Sequence, residues 1–261
     1  MVALTAVVML SAAGTQAAED GKSCAAGLNR RAAEGPGLDS QFEILSWNIQ
    51  KAGDRRWSTD FAQLASESDL VFIQEASLQA DIPTFLEDIE AEAFAPGYRT
   101  ASLETGVMTL SSRAYSLHCR FSAIEPWLRT PKATSITEYA LRDHEDRLLA
   151  INLHAVNFAM GLSDFEGQFA EIGSVLSQHE GPVVVAGDLN TWSESRQSLV
   201  DRFMAEHGLQ PVRFDPDLRT TAFGRALDHI FVRGLRAESA TVIPVESSDH
   251  NPLQVQLRID S

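Results

Sequence analysis

A chain of 261 residues that is 44% hydrophobic and 22% charged can bury a large core and has the make-up of an ordinary soluble globular protein. Its 36 acidic residues against 21 basic ones leave a net charge of -15, which argues against a broad electrostatic grip on nucleic acid. The same carboxylate excess suits a site where bound cations recruit a phosphate, whereas a Cys-rich zinc pattern and a Walker-type phosphate loop are both missing from the sequence.

Residues 1–17 are small and apolar, and Thr15-Gln16-Ala17 resembles a cleavage step, so the stretch reads as an export leader to a periplasmic or secreted location. It carries no Lys or Arg before Lys22, which leaves a cytoplasmic location open. Residues 18–40, broken by Gly35-Pro36-Gly37, read as a flexible lead-in, and one folded domain is expected over 41–261. Cys24 and Cys119 either pair in an oxidising compartment or remain two buried thiols.

Within the domain, Phe42 to Asn48 is strand-like and ends in an amide, and Asp69 to Glu75 is a second apolar run ending in a carboxylate. Helical spacing predicts a surface helix over Ile82 to Glu92. Short strands are expected at Tyr98 to Ser102, Gly106 to Leu110, Ser116 to Phe121, Ala133 to Leu141 and Leu148 to Leu153, the last followed by His154. Phe165, Phe169, Ile172 and Leu176 mark a helix, and Gly181-Pro182 ends it before the strand Val183 to Asp188. Asp188 and Asn190 stand two apart, so in extended geometry a carboxylate and an amide leave one face; an Asx turn would use the same residues. A helix over Ser198 to His207, a strand entered through Asp228, and Ser247 to Pro252 before a closing strand complete the chain. Successive strands with intervening helices predict an α/β (α+β) domain with antiparallel content.

Strand ends carrying Asn, Glu, His, Asp-x-Asn, Asp and Asp-His are poorly explained by turn chemistry alone. Ser46-Trp47-Asn48, Ile73-Gln74-Glu75, Asn152-Leu153-His154, Gly187-Asp188-Leu189-Asn190, Leu227-Asp228-His229 and Ser248-Asp249-His250-Asn251-Pro252 run in one order over nearly the whole chain after Phe42. In that combination the sequence resembles the endonuclease/exonuclease/phosphatase superfamily, with the DNase I-like fold; Trp47-Asn48-Ile49-Gln50-Lys51, Gly106-Val107-Met108-Thr109-Leu110-Ser111, His154-Ala155-Val156-Asn157-Phe158 and Ala222-Phe223-Gly224-Arg225 resemble its YafD-like bacterial branch. The resemblance implies a four-layer α/β sandwich, two mixed sheets packed face to face with helices outside.

It also implies Mg²⁺, with Mn²⁺ as an alternative, held by Glu75, Asn48 and Asp249. Asp188 and Asn190 would orient water and hold the phosphate, while His250, steadied by Asp228, would act as base or as electrostatic partner of the phosphate. His154 would stabilise the phosphorane or protonate the leaving oxygen. The implied activity is phosphoester hydrolysis, first as a phosphodiesterase or nuclease, with phosphomonoester or sphingomyelinase-like phospholipid hydrolysis and a noncatalytic binding module as alternatives. Nucleic acid and membrane lipid both stay open as substrate sources, and a monomer without a protein partner is expected. Asn157, Lys132, Arg225 and Trp192 are candidate substrate contacts; Arg55, Arg56, Arg113 and Arg196 are further cations to consider for phosphate, and Trp57 for stacking.

Overall fold

The structure, a computed structural model, describes residues 20–30, 35–125, 129–157 and 161–260. The expected leader lies outside the described residues. In chain order the elements are α1 (Gly21–Gly27), β1 (Gln41–Asn48), α2 (Trp57–Ala65), β2 (Leu70–Ser77), β3 (Ala91–Arg99), β4 (Glu104–Ser111), β5 (Leu117–Ile124), β6 (Pro131–Ala140) and β7 (Arg147–His154). There follow α3 (Ser163–Leu176), β8 (Val183–Asp188), α4 (Glu194–Glu206), β9 (Gln210–Pro211), β10 (Thr221–Ala222), β11 (Arg225–Ala226), β12 (Asp228–Arg233), β13 (Leu235–Val242) and β14 (Leu253–Ile259).

Period-two alternation in the apolar strands sets the layering. In β1, Phe42 and Ile44 join a core with Val184 and Ala186 of β8, Ala150 of β7 and Ile230 of β12, so these faces meet between the sheets. The alternate residues Leu45 and Trp47 pack with Phe61 of α2, and Val183 and Val185 pack with Phe165 and Phe169 of α3. Four layers result, with the central strands buried on both faces and the outer face of β13 and β14 open to solvent. One six-stranded sheet has the order β13-β14-β1-β2-β4-β3 and the other β5-β6-β7-β8-β12-β9. Each is mixed: β1 runs parallel to β2, and β7 parallel to β8, with antiparallel pairing elsewhere. This is the DNase I-like sandwich that the motif order implies.

Three expectations need correction, the first being the strand expected at Tyr98 to Ser102: β3 instead covers Ala91–Arg99, and 100–102 form the turn into β4. Residues 18–40 are not uniformly a loose lead-in: α1 packs on α3, Gly21 donates its N–H to Glu171 Oε2 at 2.7 Å, and buried Cys24 is disulfide-bonded to Cys119 of β5. Leu38 is likewise buried and bridges to Leu141. The helix over Ile82 to Glu92 is instead a 3-10 turn at Ile82–Phe85 followed by extended chain into β3. Leu86 leaves the turn in an extended conformation, φ -126° and ψ 138°, and Leu86 and Ile89 reach the α2 layer from irregular backbone.

The disulfide spans 95 residues of sequence, and chain-entropy arguments assign a loop of that size roughly 4–5 kcal/mol of stabilisation. Cys24→Ala with Cys119→Ala should therefore lower Tm, and wild type should fall to the same Tm in reductant. An unchanged Tm in both would mean that α1 adds nothing to the folded body.

Candidate active site

Polarity changes along each inward-facing row as it leaves the core. In β1 the row runs Phe42, Ile44, Ser46, Asn48; in β7 it runs Leu148, Ala150, Asn152, His154; in β8 it runs Val184, Ala186, Asp188; in β12, read backwards, it runs Val232, Ile230, Asp228. Pairing register then brings these ends together, because His154 and Asp228 both lie directly beside Asp188, on its two neighbouring strands. At Gly187, one residue before Asp188, a Cβ would meet Leu153 O at 1.9 Å, so only glycine permits this approach of β8 to β7.

Just below the polar rim, fully buried Gln74 of one sheet donates its Nε2 to Asn152 Oδ1 of the other at 2.8 Å. Asn152 Nδ2 in turn donates to Met108 O at 2.9 Å. These amide bonds tie the two sheets together where the site opens, although the Gln74 Oε1 atom is itself buried without a partner among the described residues.

Asp188 is the hub. Its Oδ2 accepts from Asn48 Nδ2 at 3.1 Å and lies 3.4 Å from His154 Nε2 and 3.9 Å from His250 Nε2, while Oδ1 accepts from the backbone N–H of Asn190 at 3.1 Å. Asn190, at φ 50°, donates its Nδ2 to Ala155 O at 3.0 Å. His250 Nδ1 is 2.7 Å from Asp228 Oδ2, leaving Nε2 directed to Asp188. Trp47 Nε1 donates to His250 O at 2.9 Å, which fixes the backbone beneath that ring.

Burial and then Asp228 raise the Asp188 carboxyl above its usual range, against the pull of His250 and Lys132. Burial works against charge on His250 too, but Asp228, by charge and hydrogen bond, together with Asp188 and Asp249, outweighs it and pushes the imidazole up to about 10. His154 moves the opposite way, well below its usual value, through burial and then Lys132, whose Nζ lies 2.8 Å from His154 Nε2. The centre thus holds one cationic and one neutral histidine on either side of a carboxylate.

Glu75 reaches the rim by a local irregularity. Alternation would place it on the α2 side with Ile73, but the β2–β4 register shifts between Ile73 and Ala76 and Glu75 takes φ 51°. Its carboxylate is 3.1 Å from Lys51 Nζ, and both line a cavity of about 420 Å³ with Tyr98, Lys132, His154 and Asn157. Asp249 is exposed, and no side-chain hydrogen bond of it is found among the described residues.

The other candidates divide. Lys132 and Asn157 line the cavity; Trp192 donates its Nε1 to Asn157 Oδ1 at 2.9 Å; Arg225 stands nearby, 4.0 Å from Glu194. Arg196 is not a free phosphate contact: it is buried, donates to Val156 O at 2.6 Å and Asn157 O at 2.7 Å, and so holds the loop after His154. Trp57 is a core residue packed on Phe61 and Phe85, not a stacking surface. Arg113 follows Ser111, which pairs with Leu70 at the far end of β2 from the site. Arg56 is paired with Asp54 and Glu246, while Arg55 is exposed. Sequence reasoning missed Lys51 as a member of the site; its place right after Asn48-Ile49-Gln50 was the available signal.

His229 points to the opposite face of β12 from Asp228, where it meets Thr191 Oγ1 at 2.7 Å and Arg219 Nη1 at 3.2 Å. Burial and then Arg219 depress it to about 4, and burial with Arg120 does the same to His118. A depressed histidine contributes stability that is present above the unfolded value near 6.5 and is lost as pH falls through about 4. Tm should therefore fall over that interval, and His118→Asn should flatten the slope; a slope identical to wild type would remove His118 from the account.

A two-sheet sandwich with carboxylates, amides and histidines gathered at one rim defines the class. The chain belongs to the Endonuclease/Exonuclease/phosphatase family, whose profile matches residues 45–250. A UPF0294 protein of Vibrio cholerae is 39% identical over 228 residues, covering 85% of this chain and 79% of that one. Among solved structures, an endonuclease/exonuclease/phosphatase from Beutenbergia cavernae superposes with a TM-score of 0.63 at 14% identity, covering 85% of this chain and 72% of that one. The mannosyl-6-phosphatase of Bacteroides thetaiotaomicron gives 0.60 at 17% identity, covering 83% and 99%. Family membership supports hydrolysis of phosphoester bonds. Enzymes of this fold usually use divalent metals, and Asp188, Asp228 and His250 form a group that could hold one.

Proposed function

We propose that the protein is a divalent-metal-dependent phosphodiesterase acting on small phosphodiesters, with Mg²⁺ or Mn²⁺ as cofactor. The observation that carries this is the buried Asp188 carboxylate set 3.4 Å from His154 Nε2 and 3.9 Å from His250 Nε2, with Asp228 2.7 Å from the other nitrogen of the His250 ring. The donor chemistry fits a hard cation: Glu75 already draws the Lys51 ammonium to 3.1 Å, Asn48 has an amide oxygen that among the described residues accepts only from the Gln50 N–H, and Asp249 carries an exposed carboxylate beside His250. Glu75, Asn48 and Asp249 are the residues that would hold it. When bound, the cation supplies charge neutralisation at the phosphate oxygens.

The protein's own groups supply the rest. Asp188, with its raised affinity for protons, takes the proton of the attacking water, and Asn190 fixes its carboxylate through the backbone. The new P–O bond forms as the ester bond to the leaving oxygen breaks. Imidazolium His250 binds the negative charge that builds on the phosphorane. On the other side Lys132, beside His154, offers a proton to the leaving oxygen.

Small diesters are favoured over polymers because the cations do not form a track: Arg56 is ion-paired, Arg113 lies at the far end and Arg196 is buried. Two ammonium groups, Lys51 and Lys132, in one cavity with His154 suit the extra charge of a phosphomonoester and support a second reading as a phosphomonoesterase. Turnover of bis(p-nitrophenyl) phosphate with Mg²⁺ or Mn²⁺, abolished by chelator, is the expected result. Turnover of p-nitrophenyl phosphate alone would move the assignment to the second reading, and failure of both esters with every divalent ion would sink the proposal. The Cys24–Cys119 disulfide supports export to an oxidising compartment as a further part of it, and recovery of chains starting at Met1 from the soluble cytoplasm would contradict that part.

A further inference from the structure

Glu125, directly after β5, is a carboxylate that the reaction outlined above leaves unused. It is only 1% exposed, yet it borders the cavity that holds Lys51, Lys132 and His154. A buried carboxylate is costly unless it is paired and hydrogen-bonded. Its Oε1 accepts from the Asn157 backbone N–H at 2.8 Å, and its Oε2 accepts from Thr130 Oγ1. Its own backbone closes the turn between β5 and β6: Glu125 donates its N–H to Thr130 O at 3.0 Å, and Arg129 donates to Glu125 O at 2.9 Å. One side chain thus ties that turn to the loop that follows His154.

The charge of Glu125 acts on two cations of the site region. Oε1 lies 3.9 Å from Lys132 Nζ, and the carboxylate supports the charge of Arg196 against the burial that opposes it. An ammonium has three protons to donate and accepts nothing. One proton of Lys132 goes to His154 Nε2 at 2.8 Å, the Glu125 carboxylate draws a second, and the third is left for the cavity that Lys132 lines. His154 Nε2 in turn lies 3.4 Å from Asp188 Oδ2, so the ammonium is held at the edge of the centre.

We propose that Glu125 is a positioning residue: together with His154 it fixes Lys132 Nζ in two directions, so that the remaining proton points at the oxygen leaving phosphorus. This rests on the phosphoester reading above, with Lys132 as the proton donor. As the P–O bond breaks, its electron pair takes that proton, an alcohol or phenol departs, and the amine left on Lys132 recovers a proton from water. A lysine head is a compact charge on a flexible four-carbon stem, and without a carboxylate to hold it the stem is free to swing into solvent. The help a positioned acid gives is greatest where the leaving oxygen is most basic.

The test compares bis(p-nitrophenyl) phosphate with diphenyl phosphate in Mg²⁺ or Mn²⁺, or the monoesters of the same two phenols if only those are turned over. p-Nitrophenolate leaves with little help, whereas phenolate needs the proton. Glu125→Gln keeps the shape of the side chain and removes its charge. It should lower kcat for the phenyl ester by on the order of 100-fold and for the nitrophenyl ester by less than about 10-fold, with little change in either KM. Lys132→Met should give the same pattern, and adding Glu125→Gln to it should make neither ester worse. Thr130→Val, which removes one donor to the carboxylate, should shift the ratio of the two esters the same way by a smaller factor, and it carries the test if Glu125→Gln does not fold. Equal losses on both esters, or a multiplied loss in the double variant, would reduce Glu125 to a structural role and leave the phosphoester site standing. Turnover of the nitrophenyl ester alone by wild type overturns the proton donor and the proposal with it, whereas failure of wild type on every ester overturns the phosphoester reading as well.

Discussion

Asp228→Asn and His250→Ala should each lower phosphodiester turnover by on the order of 10²-fold to 10⁴-fold, and the double variant should be little worse than His250→Ala alone. The reason is geometric. Nδ1 of His250 is 2.7 Å from Asp228 Oδ2, so the carboxylate fixes which nitrogen faces the centre and keeps the ring charged. Without it, burial would drive the imidazole to the neutral form and the charge meant for the phosphorane would be missing. The pairing also carries a pH signature. Because His250 is raised from near 6.5 to about 10, its stabilising contribution is full below 6.5 and is lost as pH climbs through about 10. The Tm gap between wild type and Asp228→Asn should narrow over that interval. A multiplied loss of rate in the double variant, or a gap independent of pH, would detach Asp228 from His250. His229→Ala is a useful comparison but not a silent one: losing its bonds to Thr191 and Arg219 should cost roughly 1–3 kcal/mol of stability, with less than about a tenfold change in rate once folded.

The sequence reached that pairing through the resemblance of Leu227-Asp228-His229 and Ser248-Asp249-His250 to the family's two C-terminal motifs, whereas the faces of β12 were legible on their own. A strand alternates faces, so Asp228 beside Ile230 could be assigned to the inner face and His229 to the outer one without coordinates. Asn48, His154 and Asp188 could be placed inward by the same alternation, although Ser46 and Asn152 already make the inward rows of β1 and β7 polar before their last residue. What alternation could not show is register. Nothing local says that Asp188 stands between His154 and Asp228, since this depends on one parallel and one antiparallel pairing. The edge strand β13 was illegible for a different reason: Leu235–Val242 buries little beyond its two ends and so has no apolar run to find. The lead-in was misread because composition alone marks α1 as loose; a disulfide across 95 residues anchors it, and the sequence left that pairing open. For Arg196 and Trp57 the residue type suggested contact with ligand, but the side chains serve the core and a loop, which only packing decides.

Glu75→Gln should raise the Mn²⁺ or Mg²⁺ concentration needed for activity by at least about 100-fold, because outer-sphere partners of a metal alone alter affinity by about 10–100-fold and a direct ligand should matter more. The bulge in β2 gives this residue its importance: it turns a carboxylate away from the α2 layer and into the cavity rim at φ 51°, a conformation that is costly for a residue with a side chain. Lys51 supplies the rival account, since its ammonium lies 3.1 Å from the same carboxylate and Glu75 would then only position a lysine. The two accounts part on Lys51→Met. If Glu75 is a ligand, removing the competing ammonium should leave metal affinity equal or tighter, because the carboxylate is released to the ion. If Glu75 serves Lys51, the two variants should be alike in rate and neither should shift the metal titration. Calorimetric titration with Mn²⁺ reads this directly and does not depend on turnover, so a loss of affinity confined to Glu75→Gln is the expected outcome, and matching, unshifted titrations for both variants would assign the strained bulge to lysine placement.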